Sequence, residues 1–257
     1  MKSLDWDAGS YDRISDMQLE SGREFLSTVP LRGDELAVDA GCGTGRVTRL
    51  LLERLPRGRV IGVDASPSMV ERARENLDGA AEVVLSDLLE FEPPEPVDVV
   101  FSTATFHWIP DHDRLFRSIH GWLRPGGRLD AQLGGKGNAS NVVDATVRVA
   151  AMEPFAAHLR GAEHPWNFPS PEEASERLVR AGFVDVRCER AERRFEFDEP
   201  REFQRTVGLA VHLDRLPEEL REPFVDTVLA ETADPSTVHL IRTNIHARRP
   251  AAGEDPE

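Results

Sequence analysis

The stretch Val38-Asp-Ala-Gly-Cys-Gly-Thr-Gly45 decides the fold, because it joins a short apolar run to an amphipathic segment. The run 36–40 has the length and composition of a buried strand, and residues 47–55 have helical spacing. The three glycines let the backbone turn sharply and approach a ligand closely at the start of a helix. We therefore predict a strand–loop–helix unit with a ligand at the loop. Taken alone, the loop also fits a glycine-rich turn that binds nothing.

Outward from this loop, apolar runs alternate with amphipathic segments. Ser66 and Pro67 have the residue types of an N-cap and of a first helical position, and that helix extends to about residue 77. Strands are predicted at 59–63, 82–85, 97–101 and 129–133, with a further helix at 111–122. Strands that are apolar throughout are typical of a parallel sheet covered on both faces. The pattern predicts a doubly wound α/β sheet with helices on both faces.

The pattern changes after residue 137. Helices are predicted at 11–28, 138–158 and 171–181, long strands at 184–197 and 238–247, and two more helical stretches lie between those strands. Such long final strands favour antiparallel pairing of the last strands in the sheet. We expect residues 138–232 to form a helical substrate cap that contains Trp166, Phe168, Phe203 and His212. The aromatic loop 164–169 fits a lid over an apolar or flat substrate, and it equally fits a small separate core.

Acidic residues follow three of the predicted strands. Asp39, Asp64 and Asp87 fall at strand ends, and the carboxyl ends of parallel strands meet at one edge of the sheet, where ligands bind. Asp64 lies about 20 residues past the loop, the spacing at which a carboxylate accepts ribose hydroxyls. Asp87 could accept an adenine amino group, and Asp39 could pair with an ammonium. A nicotinamide site is disfavoured, because the third glycine of G-x-G-x-x-G is replaced by Arg46.

Composition narrows the class of partner. The 257 residues carry a net charge of -15, which argues against nucleic acids and anionic membranes and leaves a small anionic substrate open. The two cysteines form no disulfide framework, and neither a signal peptide nor a bilayer-spanning run is present, so a cytoplasmic location is expected.

We expect a monomer or homodimer. Asp111-His112-Asp113 is interpreted as a solvated helix start capped by Asp111, and no metal is expected.

At this point the sequence resembles the class I methyltransferase family. The resemblance rests on four motifs in a fixed order: residues 38–45, Gly62-Val-Asp-Ala-Ser-Pro-Ser-Met69, Ser86-Asp-Leu88 and Leu123-Arg-Pro-Gly-Gly127. Within the family, Phe106-His-Trp-Ile-Pro-Asp111 is similar to trans-aconitate and juvenile hormone acid methyltransferases. The latter also carry a glutamine in the leading helix, which Gln18 matches. The similarity is good over 11–133 and weak beyond.

The resemblance implies a Rossmann-like, mostly parallel seven-stranded sheet with one antiparallel strand. It implies one domain over 1–250, with a cofactor half at 11–133 and the cap at 138–232; the tail 251–257 is expected to be disordered. The implied cofactor is S-adenosyl-L-methionine, with S-adenosyl-L-homocysteine as product. The implied cofactor-binding residues are Tyr11, Asp39, Gly41, Cys42, Gly43, Asp64, Ala65, Met69, Ser86, Asp87, Leu88, Ser102 and Thr103. Ser102 and Thr103 are expected near the sulfonium.

A sulfonium carries its own activated methyl group, so the protein mainly aligns the reactants. A carboxylate acceptor is already ionised at neutral pH and needs no base, only hydrogen bonds that hold one oxygen in line. The candidates for this role are Gln18, His107 and the indole N–H of Trp108, although the His-Trp pair also fits a packed turn.

A phenol, amine or carbon acceptor is the alternative, with His107 as base. A non-catalytic module that binds the cofactor is a second alternative. Arginines that could meet an anionic substrate are Arg148, Arg160 and Arg205.

Overall fold

The computed structural model describes residues 6, 8–9, 16–162, 164–196 and 199–254. The first half alternates helix and strand as predicted. Its elements are α1 (Asp16–Thr28), β1 (Leu36–Ala40), α2 (Arg46–Arg54), β2 (Arg59–Asp64), α3 (Pro67–Leu77), β3 (Glu82–Leu85), β4 (Val97–Thr103), a short 3-10 helix (Phe106–Trp108), α4 (His112–Trp122) and β5 (Leu123–Gly134). Ser66 caps α3, with Pro67 in its first turn, as the sequence predicts.

The second half contributes mainly helices and two long strands. They are α5 (Ser140–Ala150), α6 (Ala156–Leu159), α7 (Pro171–Arg180), β6 (Val184–Glu196), α8 (Pro200–Phe203), a π-helical turn (Gln204–Gly208), α9 (Ala210–Arg215), α10 (Glu218–Glu231) and β7 (Thr237–Arg248). The helix predicted over 138–158 is interrupted, because α5 ends at Ala150 and a turn containing Pro154 precedes α6. Proline lacks the N–H that a continuous helix needs. In the described part of the chain, no helix has the length and apolarity to cross a membrane.

The strands form one seven-stranded sheet in the order β3-β2-β1-β4-β5-β7-β6. Strands β1 to β5 pair in parallel, whereas β7 runs antiparallel to both of its neighbours. This confirms the predicted doubly wound sheet and its antiparallel finish. The strand order reverses between β1 and β4, and this switch point places a crevice at the carboxyl ends of the central strands.

Helices cover both faces of the sheet. On one face, Leu115 and Ile119 of α4 pack against Val100 and Leu129 in a fully buried cluster. On the other face, α1 and α2 pack their apolar sides on β1 and β4, with Phe25 stacked on Phe101 at 5.9 Å between ring centroids. Strands that are buried on both faces consist of continuous apolar sequence, and their positions could therefore be predicted from the sequence.

The cap has a core of its own. Apolar residues of α5 to α10 form a separate buried cluster, which includes Val149, Phe155, Leu213 and Phe224. Phe203 belongs to this cluster, so this aromatic residue is part of a small core rather than of the lid.

Part of the tail is held against the body of the protein. The carboxylate of Glu254 accepts hydrogen bonds from the Arg248 guanidinium at 2.7 Å and from the Ala251 backbone at 2.8 Å. The predicted disordered segment 251–257 is therefore ordered at least up to residue 254, because a charged pair fixes its first turn.

Candidate active site

The glycine loop between β1 and α2 has three residues in the left-handed region. Gly41, Gly43 and Gly45 have φ values of 85°, 53° and 81°. A side chain at position 41 would come within 2.1 Å of the Thr105 side chain, whereas a side chain at position 43 would meet nothing within 4 Å. Position 41 therefore needs glycine for packing, and the backbone at position 43 borders open space.

This loop borders a cleft of about 440 Å³, part of which is open to solvent. Six of the predicted site residues come together around it: Gln18, Asp39, Gly41, Cys42, Gly43 and Thr103. The cleft also borders residues that sequence reasoning missed, notably Arg46 and Ala104. Ala104 has a φ of 56°, which is rare for a residue with a side chain. In the sequence, only its position directly after β4 could have indicated that it borders a site.

Asp39 lies at the floor of the cleft and is 2% exposed. The Thr48 hydroxyl donates a 2.6 Å hydrogen bond to its Oδ2. Burial raises the pKa of Asp39 to about 7; the Thr48 bond opposes this shift, and the charge of Asp64 adds to it. The Asp39 carboxyl thus titrates near neutrality and would ionise readily beside a cationic ligand.

Asp64 connects the end of β2 to the glycine loop. Its Oδ2 accepts a 2.9 Å hydrogen bond from the Gly43 N–H, and its Oδ1 accepts one of 2.9 Å from the Ser66 N–H. Burial raises the pKa of Asp64, while these backbone hydrogen bonds lower it. The Ala65 backbone also bonds to this carboxylate. Since a carboxylate has about four acceptor positions, about one remains for a ligand hydroxyl.

Gln18 reaches the cleft from α1. Its Oε1 is buried and has no hydrogen-bond partner among the described residues. A buried amide oxygen without a donor carries a desolvation cost of about 1–3 kcal/mol, which a ligand hydrogen bond would relieve. Ser102 differs, because it is buried and its hydroxyl donates to the Ala40 carbonyl at 2.6 Å. Thr103 beside it faces the cleft instead.

The other predicted cofactor residues lie outside the lining of this cleft. Ala65 and Met69 follow β2, and Ser86, Asp87 and Leu88 follow β3, at the same edge of the sheet. Asp87 lies two residues beyond the end of its strand, is exposed, and accepts a 2.9 Å hydrogen bond from the Leu89 N–H. Cys42 is buried against α3, and burial raises the pKa of its thiol well above the usual value. Tyr11 lies outside the described residues.

His107 is held in the short helix that follows β4. It is 7% exposed, and the Gly134 N–H donates to its Nδ1 at 3.2 Å, which places the remaining ring proton on Nε2. Burial holds the pKa of His107 well below its ordinary value, and the charges of Arg242 and His112 lower it further. His107 is therefore a neutral hydrogen-bond donor in the turn that follows β4.

Three side chains brace the His-Trp turn. His112 is 2% exposed, and its Nε2 donates to the Phe106 carbonyl at 2.9 Å while Arg177 donates to its Nδ1 at 3.0 Å. The Asn167 side chain donates to the Pro110 carbonyl and its N–H to the His107 carbonyl, both at 2.9 Å. Asp111 caps α4 as predicted, but the expectation that His112 is solvated is wrong, because α7 covers it. Burial lowers the pKa of His112 to about 4.

Aromatic rings surround this turn. The Trp108 ring lies 5.3 Å from Trp6 and 6.2 Å from Trp166, between centroids. Trp166 stacks on Phe168 at 5.9 Å and contacts His212 at 5.4 Å. The loop 164–169 therefore packs against the His-Trp turn.

The three arginines proposed for an anionic substrate lie elsewhere. Arg148 donates to the Glu231 carbonyl and Arg205 pairs with Glu222, both on the surface of the cap, and Arg160 is exposed. Among the described residues, no group of three or more histidine, cysteine or acidic side chains is arranged to hold a metal ion.

Comparison with known proteins finds a family similar to part of this chain. Residues 37–127 match the family model described as a methyltransferase domain. The matched segment runs from β1 to the start of β5 and includes the glycine loop, Asp64 and the His-Trp turn.

Curated relatives of the methyltransferase domain include two trans-aconitate 2-methyltransferases. The protein from Methylobacterium radiotolerans is 37% identical over 159 residues, which cover 60% of this chain and 59% of that protein. The protein from Azoarcus sp. is 41% identical over 159 residues, which cover 61% and 60%. The chain thus spans about 60% of the length of these relatives.

Solved structures share the fold. Phosphoethanolamine N-methyltransferase 2 of Haemonchus contortus, solved with S-adenosyl-L-methionine, has a TM-score of 0.62 at 21% identity, covering 95% of this chain and 56% of that one. A putative methyltransferase of Bacillus halodurans has a TM-score of 0.61 at 18% identity, covering 90% and 100%. These similarities confirm the mostly parallel methyltransferase fold.

Proposed function

We propose that this chain transfers a methyl group from S-adenosyl-L-methionine to a carboxylate oxygen of a small-molecule acid. The observation that carries the proposal is the cleft at the sheet's switch point, which is lined by Asp39 and Gly43, with Asp64 bonded to the Gly43 N–H behind it. The trans-aconitate 2-methyltransferase relatives support a carboxylate acceptor.

The residues of the cleft fit this cofactor. Asp64 retains an acceptor position for a ribose hydroxyl, and the buried Asp39 carboxyl suits an ammonium. The unpartnered Oε1 of Gln18 accepts a hydrogen bond or faces a cationic centre. When bound, the cofactor supplies a methyl group on a sulfonium, which is already activated. The chain's own residues then bind and orient the cofactor and the acid, and they exclude water. Alignment of the two reactants is the source of the rate gain.

The protonation state of His107 favours a carboxylate over a phenol. Its Nδ1 is occupied by the Gly134 N–H and its pKa is held low, so it is a weak base and a good neutral donor. Nε2–H can donate to one carboxylate oxygen and leave the other oxygen free to react. A phenol would instead require a group that removes its proton.

The decisive experiment incubates the protein with methyl-labelled cofactor and a panel of small carboxylic acids, phenols and amines. We expect label in products that mild alkali converts to volatile methanol, because methyl esters hydrolyse and aryl ethers and amines do not. Alkali-stable label would move the acceptor to a phenol, nitrogen or carbon. Binding of S-adenosylhomocysteine without any transfer would favour the non-catalytic alternative.

Cofactor affinity should depend on pH through Asp39. Below its pKa of about 7 the carboxyl holds a proton that a cationic ammonium must displace, so binding should weaken as the pH falls. We expect S-adenosylhomocysteine to bind about 10-fold more weakly at pH 6 than at pH 8. Calorimetry in two buffers of different ionisation enthalpy should show proton release at pH 6 and little at pH 8.

The matched control for this effect is Asp39→Asn, whose affinity should be lower and nearly independent of pH. A wild-type affinity that stays constant from pH 6 to pH 8 would contradict the assignment of Asp39 to the ammonium.

The proposed partner is one small acceptor molecule, with the protein as a monomer or homodimer. The net charge of -15 disfavours nucleic acid. Cys42 and Cys188 are both free, which agrees with the proposed reducing, cytoplasmic location.

A further inference from the structure

Four aromatic side chains form a continuous surface beside His107. We call Trp6, Trp108, Trp166 and Phe168 the aromatic wall. Neighbouring rings lie 5.3, 6.2 and 5.9 Å apart between centroids, and the last pair is nearly parallel at 9°. Trp6, Trp108 and Phe168 are only partly buried, so some of their surface faces outward.

The aromatic wall is anchored at both ends. At one end, the Trp6 N–H donates to the Ser66 hydroxyl at 3.1 Å and the Ser68 hydroxyl donates to the Trp6 carbonyl, at the start of α3. At the other end, Phe168 packs on Gly134, where an added Cβ would come within 2.6 Å of its ring. The wall therefore spans the distance from the end of β2, beside the cofactor cleft, to the end of β5.

His107 lies against the middle of the wall. Its ring centroid is 5.1 Å from that of Trp108 and 5.7 Å from that of Phe168. The His107 ring, whose Nε2–H is proposed above as the donor to the acceptor carboxylate, thus lies beside two rings of the wall.

Of three arginines around His107 and the cleft, two pair with other side chains. Arg242 is the cation whose charge lowers the pKa of His107. Arg177 is directed to His112 and Asn167, and Arg46 pairs with Asp16 at 2.6 Å. An acceptor with three carboxylates would have to bury several charges against aromatic rings, and buried charge without a partner is costly.

We propose that the acceptor is a monocarboxylic acid with a planar conjugated or aromatic body, which stacks on the aromatic wall while its carboxylate meets His107. This inference rests on the proposed carboxyl methylation and names its substrate class. Aromatic rings gain energy from stacking beyond the burial of apolar area, so the wall selects flat acids over saturated ones.

The test compares kcat/KM for four acids in the same assay: trans-cinnamate, its saturated analogue 3-phenylpropanoate, 3-cyclohexylpropanoate and trans-aconitate. We expect trans-cinnamate to exceed trans-aconitate by at least about 10-fold, because one carboxylate avoids the burial of two further charges. We expect 3-phenylpropanoate to exceed 3-cyclohexylpropanoate by about 3- to 10-fold, which is the contribution of aromatic stacking. A preference for trans-aconitate would overturn the inference and leave carboxyl methylation standing.

Two variants assign the preference to the wall. Trp6→Leu and Phe168→Leu remove one ring each and should reduce the aryl-over-cyclohexyl ratio towards 1 without changing S-adenosylhomocysteine affinity by more than about 3-fold. Unchanged ratios in both folded variants would contradict the role of the wall.

Binding without turnover separates this inference from the proposed function. In the S-adenosylhomocysteine complex, trans-cinnamate should quench tryptophan fluorescence and trans-aconitate should not. Quenching without methyl transfer would sustain the aromatic site and refute carboxyl methylation. No quenching, together with turnover of other acids, would refute the aromatic site alone.

Discussion

Replacing Asp64 by alanine is expected to weaken S-adenosylhomocysteine binding by at least about 10-fold, since a hydrogen bond to a charged group is worth about 1.5–3 kcal/mol. The carboxylate already bonds to the backbone of Gly43, Ala65 and Ser66 and retains a position for a ribose hydroxyl. Isothermal titration calorimetry measures the affinity directly.

Because Asp64→Ala also removes the acceptor for two loop N–H groups, we expect it to lower the free energy of unfolding by about 1–3 kcal/mol. Asp64→Asn is the matched control, since its amide oxygen can keep one of these bonds. We expect this variant to fold with nearly wild-type stability and still to bind the ligand weakly, because its NH₂ group cannot accept. Affinity within about 3-fold of wild type in folded Asp64→Ala would show that the ligand lies elsewhere.

Gly43→Ala is expected to abolish most cofactor binding while costing little stability. Position 43 has a φ of 53°, and an added methyl group meets nothing within 4 Å. A left-handed alanine costs about 1–2 kcal/mol in stability. The methyl group would occupy the space where the backbone borders the cleft, so we expect S-adenosylhomocysteine affinity to fall by at least about 10-fold, as for a ligand that packs directly on backbone.

Gly79→Ala is the matched control for backbone strain. Gly79 has a φ of 78°, also has nothing within 4 Å of an added Cβ, and lies in the turn after α3, outside the cleft. Both variants should lose similar stability in denaturant titrations, and only Gly43→Ala should lose binding. Equal affinities in the two variants would remove the glycine loop from the cofactor site.

Features that depend on local sequence were predicted well. The central strands β1, β2 and β4 are largely apolar runs because both faces of a parallel sheet are buried, and the caps Ser66 and Asp111 lie where their residue types indicate. The glycine loop with Asp39 and Asp64 was also readable, because a tight turn and a strand-end carboxylate are short-range patterns. The predicted helix over 138–158 was wrong in its continuity, since helical spacing masked the interruption near Pro154.

Features that depend on contacts between distant segments could not be predicted from the sequence. Asn167 and Arg177 brace the turn of His107 across roughly 60 residues of chain, and nothing near either residue indicates this role. Trp6 reaches Trp108 from the N-terminal segment in the same way. The protonation state of His107 depends on its burial and on the Gly134 N–H, so it follows from packing.

The sequence by itself determined the doubly wound sheet, the position of the ligand loop and the acidic residues at the strand ends, because hydrophobic period, turn chemistry and capping are local properties of the chain. Only the tertiary structure decided that His107 is a neutral donor, that Gln18 has a buried oxygen at the cleft, and that aromatic rings surround the His-Trp turn. Desolvation and contacts between distant segments exist only once the chain has packed, and they control the chemistry of the site.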